Sequence, residues 1–152
     1  YFYDESNPNK YLVDKNGQWS AAAANEYMVT ALTSYSEERG NMIELVICNN
    51  DNMAEGAVTA LNTAGFNLGK GKKSIPVFGV DATDAAKVLI ADGKMTGTVK
   101  QDASGMAEAI IKLCSNGLSG SADLMDNTHM YNVDDRVNKV RIPYAKYLGE
   151  AE

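Results

Sequence analysis

An alternation of strand-like and helix-like segments restricts the fold of this chain more than any other feature. Met42–Cys48 and Ile75–Val80 are near-continuous apolar runs of strand length, and Met95–Lys100 is a third strand-like segment. Each is followed by residues with helical spacing. Apolar runs of this kind suit parallel strands buried on both faces. Strand and helix in strict alternation predict an α/β domain with a Rossmann-like parallel sheet. With 152 residues and 45% hydrophobic residues, the chain has enough material for one ordinary core.

The helices have readable starts and stops. Ser20 is placed to cap a helix with the stripe Ala24, Met28, Ala31, Leu32 and Tyr35, expected to end near Gly40. Asn50 or Asp51 can cap a second helix, with Met53, Ala57, Ala60, Leu61 and Ala64 on its apolar side and Gly65 as its stop. A third is predicted over Thr83–Ala91. A fourth runs from Ala103 to about Asn116, with Met106, Ala109, Ile110 and Leu113 at helical spacing. Tyr1–Asn9 reads as a loop. Lys10–Asp14 reads as a short strand ended by an Asn16-Gly17 turn. Gly117–Asp126 is expected to be a loop, with Tyr131–Val133 and Val137–Tyr144 as short strands around an Asp134-Asp135 turn.

Ligands of open parallel sheets bind beyond the carboxyl ends of the strands. Asn50, Asp81 and Gln101 fall at three such ends, and Trp19 opens the first helix. Together they suit a sugar. Each sugar hydroxyl both donates and accepts, which amides and a carboxylate can match. The apolar C–H face of a pyranose lies well on a flat indole. Taken singly, each residue has a plainer reading: Asn50 and Asp51 as caps of the second helix, Asp81 as a cap of the third, and Trp19 as a core or staple residue.

Charge narrows the partners. A net charge of -6 argues against a grip on nucleic acid or on an anionic membrane surface. No apolar run reaches membrane-spanning length, and Tyr1–Asn9 lack the features of a signal peptide, so any targeting segment is expected to have been cut away or to lie upstream of Tyr1. Cys48, in an apolar run, and Cys114, on the predicted fourth helix, are expected to be buried free thiols. A disulfide between them is allowed in an oxidising compartment but does not follow from two cysteines. His129 stands alone, and no zinc-site spacing is present.

The segments Val46-Ile47-Cys48-Asn49-Asn50-Asp51-Asn52-Met53-Ala54, Ile75-Pro76-Val77-Phe78-Gly79-Val80-Asp81-Ala82, Gly97-Thr98-Val99-Lys100-Gln101-Asp102 and Val140-Arg141-Ile142-Pro143-Tyr144 resemble, in order and spacing, the galactose/glucose-binding branch of the type I periplasmic binding proteins. The resemblance covers about Trp19 to Tyr144. It implies a two-lobed, non-enzymatic receptor that closes on a hexose such as galactose or glucose. Such a receptor passes its sugar to the permease of an ABC transporter, and in some bacteria signals to a chemotaxis receptor. The implied location is extracytoplasmic, in the periplasm or lipid-anchored on the outer face of the cytoplasmic membrane. By position, Trp19 is the stacking tryptophan, and Asn50 and Asp81 are the hydroxyl-binding amide and carboxylate. Gln101 stands where galactose/glucose binders carry asparagine.

The same resemblance makes residues 1–101 the C-terminal sugar-binding lobe. It makes 102–152 a segment that crosses the hinge toward an N-terminal lobe, expected before Tyr1, and returns. The helix from Ala103 would then show an unpartnered apolar stripe, covered by self-association or an altered position. No cofactor is required. Glu44 aligns with a glutamate that closes a calcium site in this branch, so it is a calcium candidate for the full-length protein, but Asp14–Gln18 cannot supply the remaining oxygens. The alternative is the ligand-binding core of a sugar-responsive regulator of the lactose-repressor type. Catalysis is disfavoured: no G-x-G-x-x-G follows a strand, and Gly69–Ser74 does not fit a phosphate loop. Asp81 and Asp51, the one imaginable glycosidase pair, both lie in receptor motifs.

Overall fold

The first helix begins where Ser20 adopts an extended backbone and its hydroxyl accepts a hydrogen bond from the Ala23 N–H at 3.2 Å. This is the N-cap that a helix start needs for its unsatisfied donors. The computed structural model describes residues 17–126, 128, 132–134 and 139–149. The expected loop Tyr1–Asn9, the strand Lys10–Asp14, Asn16 of the turn, His129, Tyr131 and Asp135 lie outside these residues. Residues up to Val99, together with those from Tyr147, form one compact unit; Lys100–Lys146 form a second.

In the first unit, α1 (Ala21–Ser34) ends at Tyr35, short of the expected Gly40. Side chains terminate it. The Arg39 guanidinium donates to the Thr33 and Ser34 carbonyls, both at 3.0 Å, and the Asn41 amide reaches the Ser34 carbonyl, so the last carbonyls are satisfied without a further turn. β1 is only Val46–Ile47, paired in parallel with β2 (Val77–Val80). β2 pairs in parallel with β3 (Gly97–Lys100) through Phe78–Gly97, Gly79–Thr98 and Val80–Val99. The expected doubly buried strand over Met42–Cys48 is therefore a short edge strand. Met42, Ile43, Val46 and Cys48 pack against the core, while Ile47 is 74% exposed and Leu45 also faces out. Among the described residues no element covers that side, and without a second layer the alternation of side chains along a strand exposes every other residue.

Between the strands run α2 (Asp51–Thr63) and α3 (Asp84–Ala91), with α2 packed on α1, β1 and β2. The core combines small side chains, Ala54, Ala57 and Ala60 of α2 and Ala86 of α3, with larger ones: Leu61 of α2, Met28 of α1, Ile90 of α3, and Ile75, Val77 and Met95. Two glycines set the spacing of its layers. A Cβ on Gly56 would lie 2.0 Å from the Ala21 carbonyl oxygen, so α2 touches the backbone of α1 at that point. The Asn25 amide donates to the Gly56 carbonyl at 3.1 Å beside it. A Cβ on Gly97 would meet Leu148 Cδ2 at 2.6 Å, which brings the chain after Tyr147 against β3.

The second unit contains α4 (Ala103–Leu118), capped by the Asp102 carboxyl, which accepts from the Gly105 N–H at 3.0 Å. β4 (Asn132–Asp134) and β5 (Lys139–Arg141) form an antiparallel pair, where sequence reading extended the second strand to Tyr144. A further strand, β6 (Ala145–Tyr147), was not expected. On α4, Gly105 and Ala109 are buried and Met106 and Leu113 half-buried, while Ile110 is 59% exposed.

Cys114 is exposed and Cys48 half-buried, and both are free thiols. The expectation of two buried cysteines therefore fails at Cys114. Five residues beyond Ala109, it is turned about 140° away from the covered side of α4. Burial pushes the Cys48 thiol up from 9.0 to about 11. Because the folded chain holds that proton more tightly than the unfolded chain, stability drawn from Cys48 is intact below pH 9.0 and declines as pH rises toward about 11. Only the thiolate reacts with alkylating agents. We expect iodoacetamide at pH 8 to modify Cys114 alone in the folded protein and both thiols in denaturant, as read by mass spectrometry; equal modification of the two in the folded state would contradict the buried placement of Cys48.

Candidate functional site

Three of the four sequence-identified residues, Trp19, Asn50 and Asp81, belong to the first unit. Trp19 precedes the cap of α1, has a left-handed φ of 53° and is 53% exposed. It is not a core residue. Asn50 caps α2, with its Oδ1 accepting from the Met53 N–H at 2.8 Å, and its Nδ2 donates to the Trp19 carbonyl at 3.2 Å. The cap reading of Asn50 is thus correct. The same amide also fastens the tryptophan segment to the end of β1, which sequence reading did not anticipate. An amide has two N–H donors and two acceptor lone pairs, so one of each is left for a ligand after these bonds.

Asp81 follows the last residue of β2 and is exposed. It does not cap α3. Thr83 does, its hydroxyl accepting from the Ala86 N–H at 3.2 Å. Asp81 and Ala82 have φ values of 119° and 55°, consecutive left-handed residues without glycine. Such conformations cost of order 1–3 kcal/mol each and persist only where the surroundings hold them, which is common at ligand sites.

What holds this bend is visible. The Asp81 N–H donates to the Val99 carbonyl at 2.8 Å. Asp51, fully buried as the first residue of α2, accepts from the Thr83 N–H at 2.8 Å and from the Thr98 hydroxyl at 2.5 Å. Thr98 Oγ1 in turn accepts from the Ala82 N–H at 3.4 Å. Gly79 leaves room for the carboxyl, since a Cβ there would lie 2.3 Å from Asp51 Oδ1. Among the described residues, four non-glycine residues have positive φ: Trp19, Asp81 and Ala82 belong to these two segments, and Asn67 lies elsewhere.

Gln101 follows the last residue of β3 and belongs to the second unit, where it is half-buried. Glu44 lies before β1 and is exposed. Among the described residues no group of three histidine, cysteine or acidic side chains is placed to hold a metal ion. No described helix is long and apolar enough to cross a membrane. Sequence reading missed Asp51, Gly79 and Thr98 as supports of the site. The available signal was the adjacency of Asn50 and Asp51, where one residue caps the helix and its neighbour is released for another task.

Comparison with known proteins agrees with this architecture. The chain is 38% identical over 128 residues to a D-galactose/methyl-galactoside binding periplasmic protein of Haemophilus influenzae, covering 84% of this chain and 34% of that protein. It spans about a third of the length of the curated relatives it matches. A solute binding protein of an ABC transporter from Bacillus halodurans, solved with bound myo-inositol, superposes with a TM-score of 0.60 at 28% identity over 86% of this chain and 37% of that one. Another, from Burkholderia multivorans, gives a TM-score of 0.61 at 26% identity over 86% of this chain and 38% of that one. The periplasmic binding protein domain matches residues 4–122, and with most of the chain covered, this protein belongs to the periplasmic binding protein domain family.

Proposed function

We propose that the chain is part of the substrate-binding component of an ABC sugar transporter, and that it holds a cyclic polyol, a hexose such as galactose or glucose, with Trp19, Asn50 and Asp81. The observation that carries this reading is the exposed Asp81 at the carboxyl end of β2, on a bend that buried groups keep in a left-handed conformation. A carboxylate in that position accepts two hydroxyl hydrogen bonds, and charge-assisted bonds of this kind are about twice as strong as neutral ones. Asn50 contributes its remaining donor and acceptor, and the half-exposed indole of Trp19 offers a surface for the C–H face of the ring. Gln101 enters the proposal from its place in the sequence alone.

Supporting the ligand class are relatives whose names give D-galactose or methyl-galactoside for one and myo-inositol for another. Both are six-membered rings carrying hydroxyls around an apolar face. The role is binding and release rather than catalysis, with the permease of the transporter as the receiving partner and the extracytoplasmic side as the location.

Because Trp19 is the single tryptophan, its fluorescence reports on the site directly. Titration with galactose, glucose, myo-inositol and ribose is expected to give a saturable change with one of the six-membered rings. Asp81→Ala should weaken that response by about a hundredfold, as loss of two bonds to a charged acceptor at ~1.5 kcal/mol each implies. A saturable response that Asp81→Ala leaves unchanged would refute the site.

A further inference from the structure

We propose that Asp51 is a positioning residue for ligand binding, which acts through Thr98 and Thr83 to set the direction of Asp81 without touching the ligand. The inference rests on the reading of Asp81 as the hydroxyl acceptor. Asp51 is the first residue of α2, directly after the Asn50 cap, and its side chain is fully buried. A helix start favours a carboxyl group, because the first N–H groups and the helix dipole present positive charge there. Capping does not need it, since Asn50 already performs that task. Burial of a polar group is costly unless its hydrogen bonds are made, and Asp51 makes both of its bonds across the sheet, to residues 32 and 47 positions away in sequence.

The targets of those bonds bracket the bend. The Thr83 N–H, directly after it, is held by Asp51 Oδ2. The Ala82 N–H, within it, points to the Thr98 hydroxyl, and Asp51 Oδ1 orients that hydroxyl by accepting its proton. Thr98 must then present a lone pair to Ala82, because its single O–H is already donated to Asp51. The result is a two-step relay from the buried carboxyl to the backbone that carries Asp81. Two consecutive left-handed residues without glycine relax toward ordinary backbone angles unless held in this way. The burial of Gly79 under Asp51 has the same consequence, because any side chain there displaces the carboxyl. The supporting residues Asp51, Gly79, Thr83 and Thr98 are thus determinants of affinity, although none of them is assigned to the ligand.

The test uses Thr98→Val, which keeps the shape and removes the hydroxyl, and Thr98→Ser, which returns it, beside wild type and Asp81→Ala. Galactose and myo-inositol affinities are read from Trp19 fluorescence at a temperature where circular dichroism shows every variant folded. Amide exchange of Ala82 and Thr83 is followed in parallel. We expect Thr98→Val, which removes both the bond to Asp51 and the bond from Ala82, to weaken binding about tenfold, and to speed exchange at Ala82. Thr98→Ser should restore both to near the wild-type values. A merely structural Thr98 would lower the unfolding midpoint and leave the affinity of the folded protein untouched. That outcome, with or without faster exchange, overturns the inference while Asp81→Ala still weakens binding about a hundredfold. If Asp81→Ala leaves binding intact, or wild type binds neither sugar, the reading of Asp81 fails and this inference falls with it.

Discussion

Gly56→Val is expected to lower the thermal unfolding midpoint by about 10 °C and to detach α1 from α2. A Cβ at position 56 would approach the Ala21 carbonyl oxygen to 2.0 Å, the carbonyl carbon to 2.7 Å and Cα to 2.9 Å. These are backbone atoms and cannot turn aside as a side chain end can. Overpacking of a core typically costs ~1–3 kcal/mol, and a contact with fixed backbone lies at or above the upper end of that range. For a chain of this size each kcal/mol moves the midpoint by roughly 2–4 °C. The interface concerned also includes the bond from the Asn25 amide to the Gly56 carbonyl.

The functional consequence is as specific as the thermal one. α1 starts two residues after Trp19, whose carbonyl is tied to Asn50 at the start of α2. Moving the helices apart breaks that tie, so the variant should show an altered Trp19 emission and faster amide exchange throughout Ala21–Ser34 while Asp84–Ala91 keeps its protection. A variant with wild-type midpoint and emission would show that α1 does not dock on α2 at this point.

Asn67→Ala is expected to destabilise the chain by ~3–5 kcal/mol without any direct effect on ligand contacts. Asn67 is 1% exposed. Its Nδ2 donates to the Ile75 carbonyl at 2.8 Å and the Lys94 carbonyl at 2.9 Å, and its Oδ1 accepts from the Ile75 N–H at 2.8 Å. One side chain thus joins the turn after α2, the entry to β2 and the segment before β3. Alanine leaves these buried groups without partners, at ~1–3 kcal/mol for each group that water cannot reach. It also puts alanine at a φ of 54°, a left-handed conformation that asparagine tolerates better. Glycine separates the two effects. Asn67→Gly removes the hydrogen bonds but relieves the backbone, so urea denaturation should place it between wild type and Asn67→Ala. If Asn67→Ala unfolds at the wild-type urea concentration, the side chain does not carry the connection described.

Both predictions concern residues that sequence reading passed over, and the reason is physical. Periodicity reports what a segment buries, because side chains repeat every 3.6 residues on a helix and every second residue on a strand. It located α2, α3 and α4 and the strands β2 and β3. Caps are local as well: Ser20 and Asn50 accept from N–H groups three residues on, so their roles were legible from a few neighbours. The ends of α1 and β1 were not. α1 stops early because Arg39 and Asn41 fold back on its last carbonyls. β1 shrinks to two residues because its apolar run is covered on one side only.

The candidate site divides in the same way. That Asn50 and Asp81 stand after strands, on one edge of a parallel sheet, is set by sequence order, since every parallel strand points the same way and ends on the same side. The sequence by itself therefore determined the α/β alternation, the cap of α1 and the strand ends at which Asn50 and Asp81 stand. Only the tertiary structure decided that Asn50 holds Trp19 and that Gly56 brings α2 onto the backbone of α1. It alone placed the buried carboxyl of Asp51 beneath the bend of Asp81. Those contacts join residues more than thirty positions apart, and a hydrogen bond or a close approach across such a distance leaves no period in the sequence.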